Sequence, residues 1–505
     1  MIIISPGVYS RELDLSLYVP QLAQSILGLV TTASKGPTNE ITLITDENAL
    51  ISTFGIPSAE HLGIYAAIMY LRRGRQLKVI RVADYDQTAE GVIRNDGDTA
   101  DAVAMSALST GSWGNNTSVV VSAGTDAGTY RITVLYNGGT TEVYDLLKVG
   151  AANVNDSNYI ETRINGVSEF ISVIADSAQT TLAVSSVAVS LAGGDDGAPA
   201  DPSDYVGVAG APPAIPSTGL QLFANPETID LNLVAVPGIT DRSVVSALLT
   251  LAENRKDVIA LIDVPYGKSV QQAVAWTNGT GGGASDPTAA LNSSYAAAFY
   301  PWVQIYDGYN DADVWIPPTG VVAGGMAYTD QVADPWFAPA GPTRGKYVDV
   351  LDVEHSATQG ERDYMYSNGN IVNPIINKVG QGIMLYGQRT TQRADTKLDR
   401  INVRRLLNYM EKAIATAVDS LTFDPNDEIT WARFRTKVKP IMAEIKGRRG
   451  IEEYEVICDA STNTETVRQR NELHGDIMFI PVGAAEMIQL TFVILNSQAQ
   501  FQELS

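Results

Sequence analysis

Side chains that commonly perform catalysis or bind metals are scarce in this 505-residue chain. Its three histidines are His61, His355 and His474, and none has a second metal ligand at the spacing of a known site. The one cysteine, Cys458, lies in a strand-like apolar run and is typical of a small buried hydrophobic residue. Acid–base, metal and thiol chemistry are therefore poorly supported, although catalysis by carboxylates alone stays open.

Nucleotide-binding motifs are not found either. Gly267-Lys268-Ser269 looks like the end of a phosphate-binding loop, but that motif needs a glycine where Ile262 stands. The glycine-rich run at 279–283 lacks the strand-to-helix context of a dinucleotide site, which favours a flexible loop. We predict no cofactor.

An acidic cluster is formed by Asp424, Asp427 and Glu428. Calcium binding is not supported, because the regular 12-residue ligand spacing is missing. We expect instead a turn between two helices, in which Asp or Asn caps the second helix. No metal site is predicted.

Charge is distributed unevenly along the chain. The net charge is −22, which disfavours binding to nucleic acid. Residues 84–205 are strongly acidic, whereas residues 391–450 carry 13 basic and 8 acidic side chains. No apolar run is long enough to cross a bilayer, and no signal peptide is recognised, so we expect folding in the cytosol without membrane insertion.

Apolar periodicity predicts an α/β and α+β multidomain protein. Runs such as 26–30 and 258–263 are typical of buried strands, and helical spacing covers 59–73 and 243–254. Strands that alternate with helices favour a doubly wound-like core with a mainly parallel sheet. The density of Gly, Ser, Thr and Asn in 84–205 indicates an all-β insertion into this core.

These patterns predict five segments. They are an N-terminal arm (1–25), a central α/β domain (26–83 plus 206–350), an inserted β-rich domain (84–205), a C-terminal α+β domain (351–487) and a C-terminal arm (488–505). Both arms have strand character but are too short to bury their own apolar residues.

Several stretches, in order along the chain, resemble contractile tail sheath proteins. They are 5–9 with Glu12, 33–37, 111–115, 317–320, 335–341, 401–406, 423–428 and 463–464 with 470–473. The inserted region matches poorly beyond Trp113.

This resemblance implies a non-enzymatic structural subunit of a virion tail. Such subunits form hexameric rings stacked helically around a tail tube, between a baseplate and tail terminator proteins, and contract to drive the tube through the target cell envelope. Assembly in the host cytoplasm is implied as well. A related bacterial contractile injection system stays open as an alternative.

The resemblance also suggests two kinds of contact residue. Strand exchange between subunits is expected at the arm residues Val8, Tyr9, Arg11, Leu13, Leu490, Phe492 and Ile494. A basic helix over 398–421 is expected to face the tube through Lys397, Arg400, Arg404, Arg405 and Lys412. The alternatives are arms that pair within their own subunit and an ordinary solvated helix face.

Two other classes of protein stay open from the sequence. The α/β pattern of 220–345 is compatible with a doubly wound enzyme, which needs a cleft with convergent polar groups. A static structural protein, such as a surface-layer or capsid component, is the second.

Overall fold

The computed structural model describes residues 25–84, 86–210, 216–367 and 369–487. The chain forms two compact units, and the boundary between them lies between Thr422 and Phe423. We call the preceding part unit 1 and the following part unit 2. Both combine helices with strands, so the expectation of a mixed α/β architecture with several sheets is confirmed.

The strands are short and are distributed over most of the described chain. In order they are β1 (Leu27–Thr31), β2 (Ile41–Ile44), β3 (Leu77–Arg81), β4 (Glu90–Arg94), β5 (Asp101–Ala107), β6 (Thr117–Ala123), β7 (Tyr130–Tyr136), β8 (Gly139–Leu147), β9 (Ile171–Ala175), β10 (Ser185–Ser190), β11 (Leu233–Ala235), β12 (Ile259–Asp263), β13 (Ala296–Tyr300), β14 (Val303–Asp307), β15 (Ala312–Ile316), β16 (Asp352–Val353), β17 (Asn373–Lys378), β18 (Gly382–Leu385), β19 (Ile451–Ile457) and β20 (Asp476–Pro481).

The helices include two long ones near the unit boundary. In order they are α1 (Glu47–Phe54), α2 (Leu62–Leu71), α3 (Ile160–Ile164), α4 (Pro202–Val206), α5 (Arg242–Arg255), α6 (Val270–Thr277), α7 (Thr319–Val332), α8 (Gly341–Arg344), α9 (Gln359–Tyr366), α10 (Ile401–Val418), α11 (Glu428–Gly447) and α12 (Glu465–Gln469). Within the described ranges, no helix combines the length and apolar character that a bilayer crossing needs.

An eight-stranded sheet forms the centre of unit 1, in the order β18-β17-β13-β12-β11-β1-β3-β2. The strands from β3 to β17 run parallel, and β2 and β18 close the two edges in the antiparallel sense. Side chains alternate between the faces of a strand. Leu27 and Leu29 therefore pack against α1, α2 and α7, whereas Val30 packs with residues of α5 and α6.

The central sheet includes strands from a later part of the chain than the sequence predicted. The strands β17 and β18 lie in the stretch assigned to the C-terminal domain of 351–487, yet β17 pairs with β13. The buried residues of β17 continue the apolar layers of the central sheet, which explains the pairing. The compact-unit boundary falls after Thr422 instead.

Between β3 and β11 the chain forms two smaller sheets. One has the order β4-β5-β9 and the other β10-β6-β7-β8, and the two share one hydrophobic core that includes Trp113. Alternating apolar patterns around 118–121, 130–135, 170–174 and 187–191 are typical of strands and coincide with β6, β7, β9 and β10. The strands β4, β5 and β8 were not predicted from the sequence.

A buried arginine connects the central sheet to this β-rich region. Arg81, at the end of β3, is 1% exposed and donates hydrogen bonds to the carbonyl oxygens of Ala33 (3.0 Å), Gly36 (2.8 Å) and Thr110 (3.2 Å). Its guanidinium also lies 3.4 Å from the carboxylate of Asp86. The Arg81 side chain thus donates hydrogen bonds to carbonyl oxygens in both parts of unit 1.

Unit 2 consists of α11 packed on the antiparallel pair β19–β20, with the short α12. The side chain of Asp427 accepts a hydrogen bond from the N–H of Thr430 (2.9 Å), which confirms the predicted cap at this turn. Trp431 is buried and donates from its indole N–H to the Oδ1 of Asn426 (2.7 Å).

Replacing Arg81 by methionine tests the connection between the two parts of unit 1. The R81M substitution keeps most of the side-chain volume but removes the charged partner of Asp86 and the donor to the carbonyl oxygens of Ala33 and Gly36. We expect the chain to lose about 3–5 kcal/mol of stability, measured by urea denaturation. The exposed pair of Arg94 with Asp98 and Asp101 provides the control, because R94M is expected to change stability by less than about 1 kcal/mol. Equal effects of the two substitutions would contradict this role.

Candidate assembly surfaces

Each of the three histidines has a different hydrogen-bond partner. His61 contacts Thr32, His355 contacts Glu361 and His474 contacts Glu472. Among the residues described, no group of three His, Cys, Asp or Glu side chains is placed to hold a metal ion. The burial of Cys458 raises the pKa of its thiol, which lowers its reactivity.

The carboxyl ends of the parallel strands, where open α/β sheets usually bind ligands, are occupied by internal contacts. Asp263, the last residue of β12, is 3% exposed and accepts hydrogen bonds from the N–H groups of Gly238 (3.0 Å) and Thr319 (2.9 Å). The hydroxyl of Thr319 donates a third (2.8 Å). Asp263 therefore binds the first turn of α7 rather than facing a cleft.

Neighbouring polar groups at this edge are used in the same way. The indole of Trp302 donates to the carbonyl oxygen of Val264 (2.8 Å), and the N–H of Gly267 donates to Glu354 (2.7 Å). The hydroxyl of Tyr300 donates to the carbonyl oxygen of Lys268 (2.8 Å). This segment of the loop that follows β12 is thereby fixed to the fold, and Lys268 contributes its backbone to a structural contact.

The predicted basic helix is present as α10, but its two central arginines are buried. Arg405 forms an ion pair with Asp330 of α7, and both side chains are almost fully enclosed. Arg404 lies 4.1 Å from the ring centre of Tyr295 and donates to Asn408 (2.8 Å). The expectation that these two charges are presented on a helix surface is therefore wrong, and the tube-facing orientation of the helix stays a prediction.

The remaining residues of the predicted basic group are more accessible. Lys397 is exposed, while Arg400 forms an ion pair with Asp399 and Lys412 forms one with Asp230. Acidic partners within unit 1 thus neutralise much of the positive charge of α10. The sequence showed the basic residues but not these partners, since Asp230 and Asp330 are far away in the chain.

Exposed positive charge is found instead on α11 of unit 2. Lys439 and Lys446 are both exposed and lie two helical turns apart on one face. Arg448 and Arg449 follow at the end of the helix and are exposed as well. We call these four residues the α11 basic face. These residues belong to the basic stretch 391–450 noted in the sequence, but the tube contact was expected at α10.

The sheet of unit 2 has two strands, and each pairs on one side only within the described part of the chain. Met478 and Ile480 of β20 are about half exposed, at 51% and 50%. Isolated two-stranded sheets are only marginally stable in water, and open edges accept further strands. The predicted arm strands, from Val8 to Leu13 and from Leu490 to Ile494, lie outside the described residues.

Three stretches of the chain match domains of phage tail sheath proteins. Residues 25–82 match the tail sheath protein Gp18 domain III N-terminal region, 218–391 the phage tail sheath protein central domain, and 393–495 the phage tail sheath C-terminal domain. The chain belongs to the contractile tail sheath protein family. The β-rich region between β3 and β11 falls outside these three stretches.

Relatives in sequence and in structure agree with this membership. The tail sheath protein of Vibrio phage KVP40 is 32% identical over 304 residues, which cover 57% of this chain and 45% of the relative. The chain thus spans about half the length of the curated sheath proteins it matches.

Solved sheath structures share the fold. The sheath tail protein from Desulfitobacterium hafniense superposes with a TM-score of 0.59 at 13% identity, over 95% of this chain and 100% of that one. The sheath complex of the PVC extracellular contractile injection system, in its contracted state, gives a TM-score of 0.57 at 16% identity over 99% of each chain.

The buried carboxyl of Asp263 predicts a measurable pH dependence. Burial raises its pKa from 3.8 to about 6. Its contribution to stability is therefore complete below about pH 3.8 and is lost as the pH rises through about 6, a change of about 3 kcal/mol.

We expect the stability of the wild type relative to D263N to fall by about 2 kcal/mol of this total between pH 4 and pH 6.5 in urea denaturation. The exposed carboxyl of Asp313 in β15 provides the control, D313N, which should follow the wild type. A constant difference between wild type and D263N across this range would contradict the assignment.

Proposed function

We propose that this chain is a tail sheath subunit that polymerises as stacked hexameric rings around a tube and contracts to drive the tube through a cell envelope. It acts as a structural protein without an enzymatic step. The observation that carries the proposal is the two-stranded sheet of unit 2, whose edges are open within the described residues. Strands supplied by neighbouring copies would complete it.

The terminal segments are suited to this pairing. Both have strand character, with Val8, Tyr9 and Leu13 in the first and Leu490 followed by a run of β-branched and aromatic residues, 491–494, in the second. A strand added to an edge supplies a row of backbone hydrogen bonds and covers exposed apolar side chains such as Met478 and Ile480. Arms that keep these bonds while the bodies rotate would hold the lattice together through contraction.

The finer architecture follows the same proposal. The central sheet is a doubly wound-like core, and the acidic region between β3 and β11 is an insertion that projects outward and keeps the particle soluble. Baseplate and terminator proteins would bind the two ends of the polymer. A sheath of a bacterial contractile injection system is the second candidate, favoured by the match to the PVC sheath.

Removing the N-terminal arm tests the assembly mechanism. The full chain is expected to form hollow cylinders visible by negative-stain microscopy. A chain without residues 1–20 should give folded monomers that do not polymerise, because the sheet of unit 2 then lacks a partner strand.

A matched control distinguishes the effect of the strand-forming residues from the effect of the length of the segment. Replacing residues 1–20 by a Gly/Ser segment of equal length should abolish the cylinders as well, since a flexible segment has little tendency to form a strand. Circular dichroism and size-exclusion chromatography would establish that both variants are folded. Cylinders of normal length from either variant would refute arm exchange at this end of the chain.

The tube contact is assigned to the α11 basic face. Each exposed ion pair contributes only about 0–1 kcal/mol, so the attraction depends on repetition over many subunits and weakens with salt. A tube with an acidic surface is the partner of matching charge. Lys439 and Lys446 are suitable for testing because they are exposed and lie on one face of α11.

Reversing both charges, K439E with K446E, should release the sheath from the tube at lower salt than the wild type does, measured by co-sedimentation of the two proteins. The control is R163E with K346E, which changes the net charge equally on two exposed residues of unit 1. Release at the same salt concentration for all three proteins would eliminate this contact.

A further inference from the structure

Ser25, the residue before Ile26 and β1, has an unusual backbone conformation. Its φ is +57°, in the left-handed region, and its side chain is 4% exposed. Residues other than glycine rarely adopt this conformation and persist in it only where surrounding contacts impose it. Backbone conformations of this kind cluster at functional sites.

Three helices of unit 1 hold Ser25 in place. Its hydroxyl donates to Asp330 of α7, and its carbonyl oxygen accepts from the hydroxyl of Tyr70 in α2. Arg405 of α10 pairs with the same carboxylate and lies 3.4 Å from the Ser25 hydroxyl. We call Tyr70, Asp330 and Arg405 the Ser25 clamp.

The residues of the clamp are buried, and two of them are charged. Asp330 and Arg405 are 5% and 6% exposed, and hydrogen bonds to charged partners in such surroundings are stronger than those between neutral groups. Tyr70 is completely buried, and its single hydroxyl proton is shared with a second acceptor, the carbonyl oxygen of Gln76 (2.9 Å), the residue before β3. These contacts connect Ser25 to the end of the central sheet at which the strands β1 and β3 begin.

We propose that Ser25 and its clamp set the direction in which residues 1–24 leave unit 1, so that this arm reaches a second copy of the chain. This inference rests on the proposed function, in which the arm pairs with another subunit. An arm that leaves in a fixed direction loses less conformational freedom when it binds, which strengthens the contact without any added interface. Ser25 is therefore a positioning residue for assembly.

A glycine substitution at position 25 distinguishes an effect on the direction of the arm from an effect on the stability of the monomer. Ser25→Gly removes the hydroxyl and accepts a positive φ without strain, so the two effects on the stability of the monomer oppose each other. We expect its melting temperature to stay within about 2 °C of the wild type. The critical concentration for forming cylinders should rise roughly tenfold, measured by sedimentation of the full-length protein.

Two controls accompany this variant. Asn137→Gly changes another residue with a positive φ (+48°), in the exposed turn between β7 and β8, and should polymerise as the wild type does. Ser25→Asn keeps a hydrogen-bonding side chain that tolerates this conformation and should polymerise at nearly the wild-type concentration.

The outcomes are distinguishable. Normal polymerisation of Ser25→Gly overturns the inference, and so does a large loss of monomer stability, because Ser25 would then serve the fold rather than the arm. If the chain without residues 1–20 polymerises normally, arm exchange itself fails. If that truncation blocks assembly and Ser25→Gly does not impair it, only the inference about Ser25 fails.

Discussion

The backbone N–H and C=O groups at the edge of a β-sheet need hydrogen-bond partners, and the sheath account depends on how unit 2 meets this requirement. Within the described chain, β19 and β20 pair only with each other, and α11 packs against them. Such a sheet gains more stability from added strands than a large sheet does, because two-stranded sheets are marginal alone. If neighbouring copies supply those strands, as we propose, assembly also completes this sheet.

Within the described residues, unit 1 differs from unit 2 in that several of its charged side chains are buried and paired internally. Its sheet is buried on both faces, and its polar interior is engaged in internal contacts. Arg81 binds the loops beside β3, Asp263 binds the start of α7, and Arg405 pairs with Asp330. Charges buried in this way are strongly destabilising if one partner is removed, so they favour one arrangement of the unit. In the proposed contraction, a body of this kind would move as a whole while the arms maintained the connections.

Much of this fold could be predicted from apolar periodicity. The continuous apolar runs of β1 and β12 and the helical spacing of α2 and α5 were recognised correctly. The strands β4 and β8 were missed because exposed polar residues and glycine dominate them. The continuation of the central sheet into β17 was missed because strand pairing between distant segments leaves no local pattern.

The surfaces were harder to predict than the fold. Arg404 and Arg405 belong to a basic run, but their burial depends on Tyr295 and Asp330, which are distant in the sequence. The positive φ of Ser25 likewise arises from tertiary contacts. The acidic turn before α11 was predictable, because a helix cap involves only neighbouring residues.

A cryo-electron microscopy reconstruction of the assembled cylinder, at a resolution that separates strands, tests the central claim most directly. We expect β19–β20 of each subunit to be extended by strands whose chains trace to other subunits. A sheet that is flanked only by segments of its own chain, with no strand shared between copies, would contradict it.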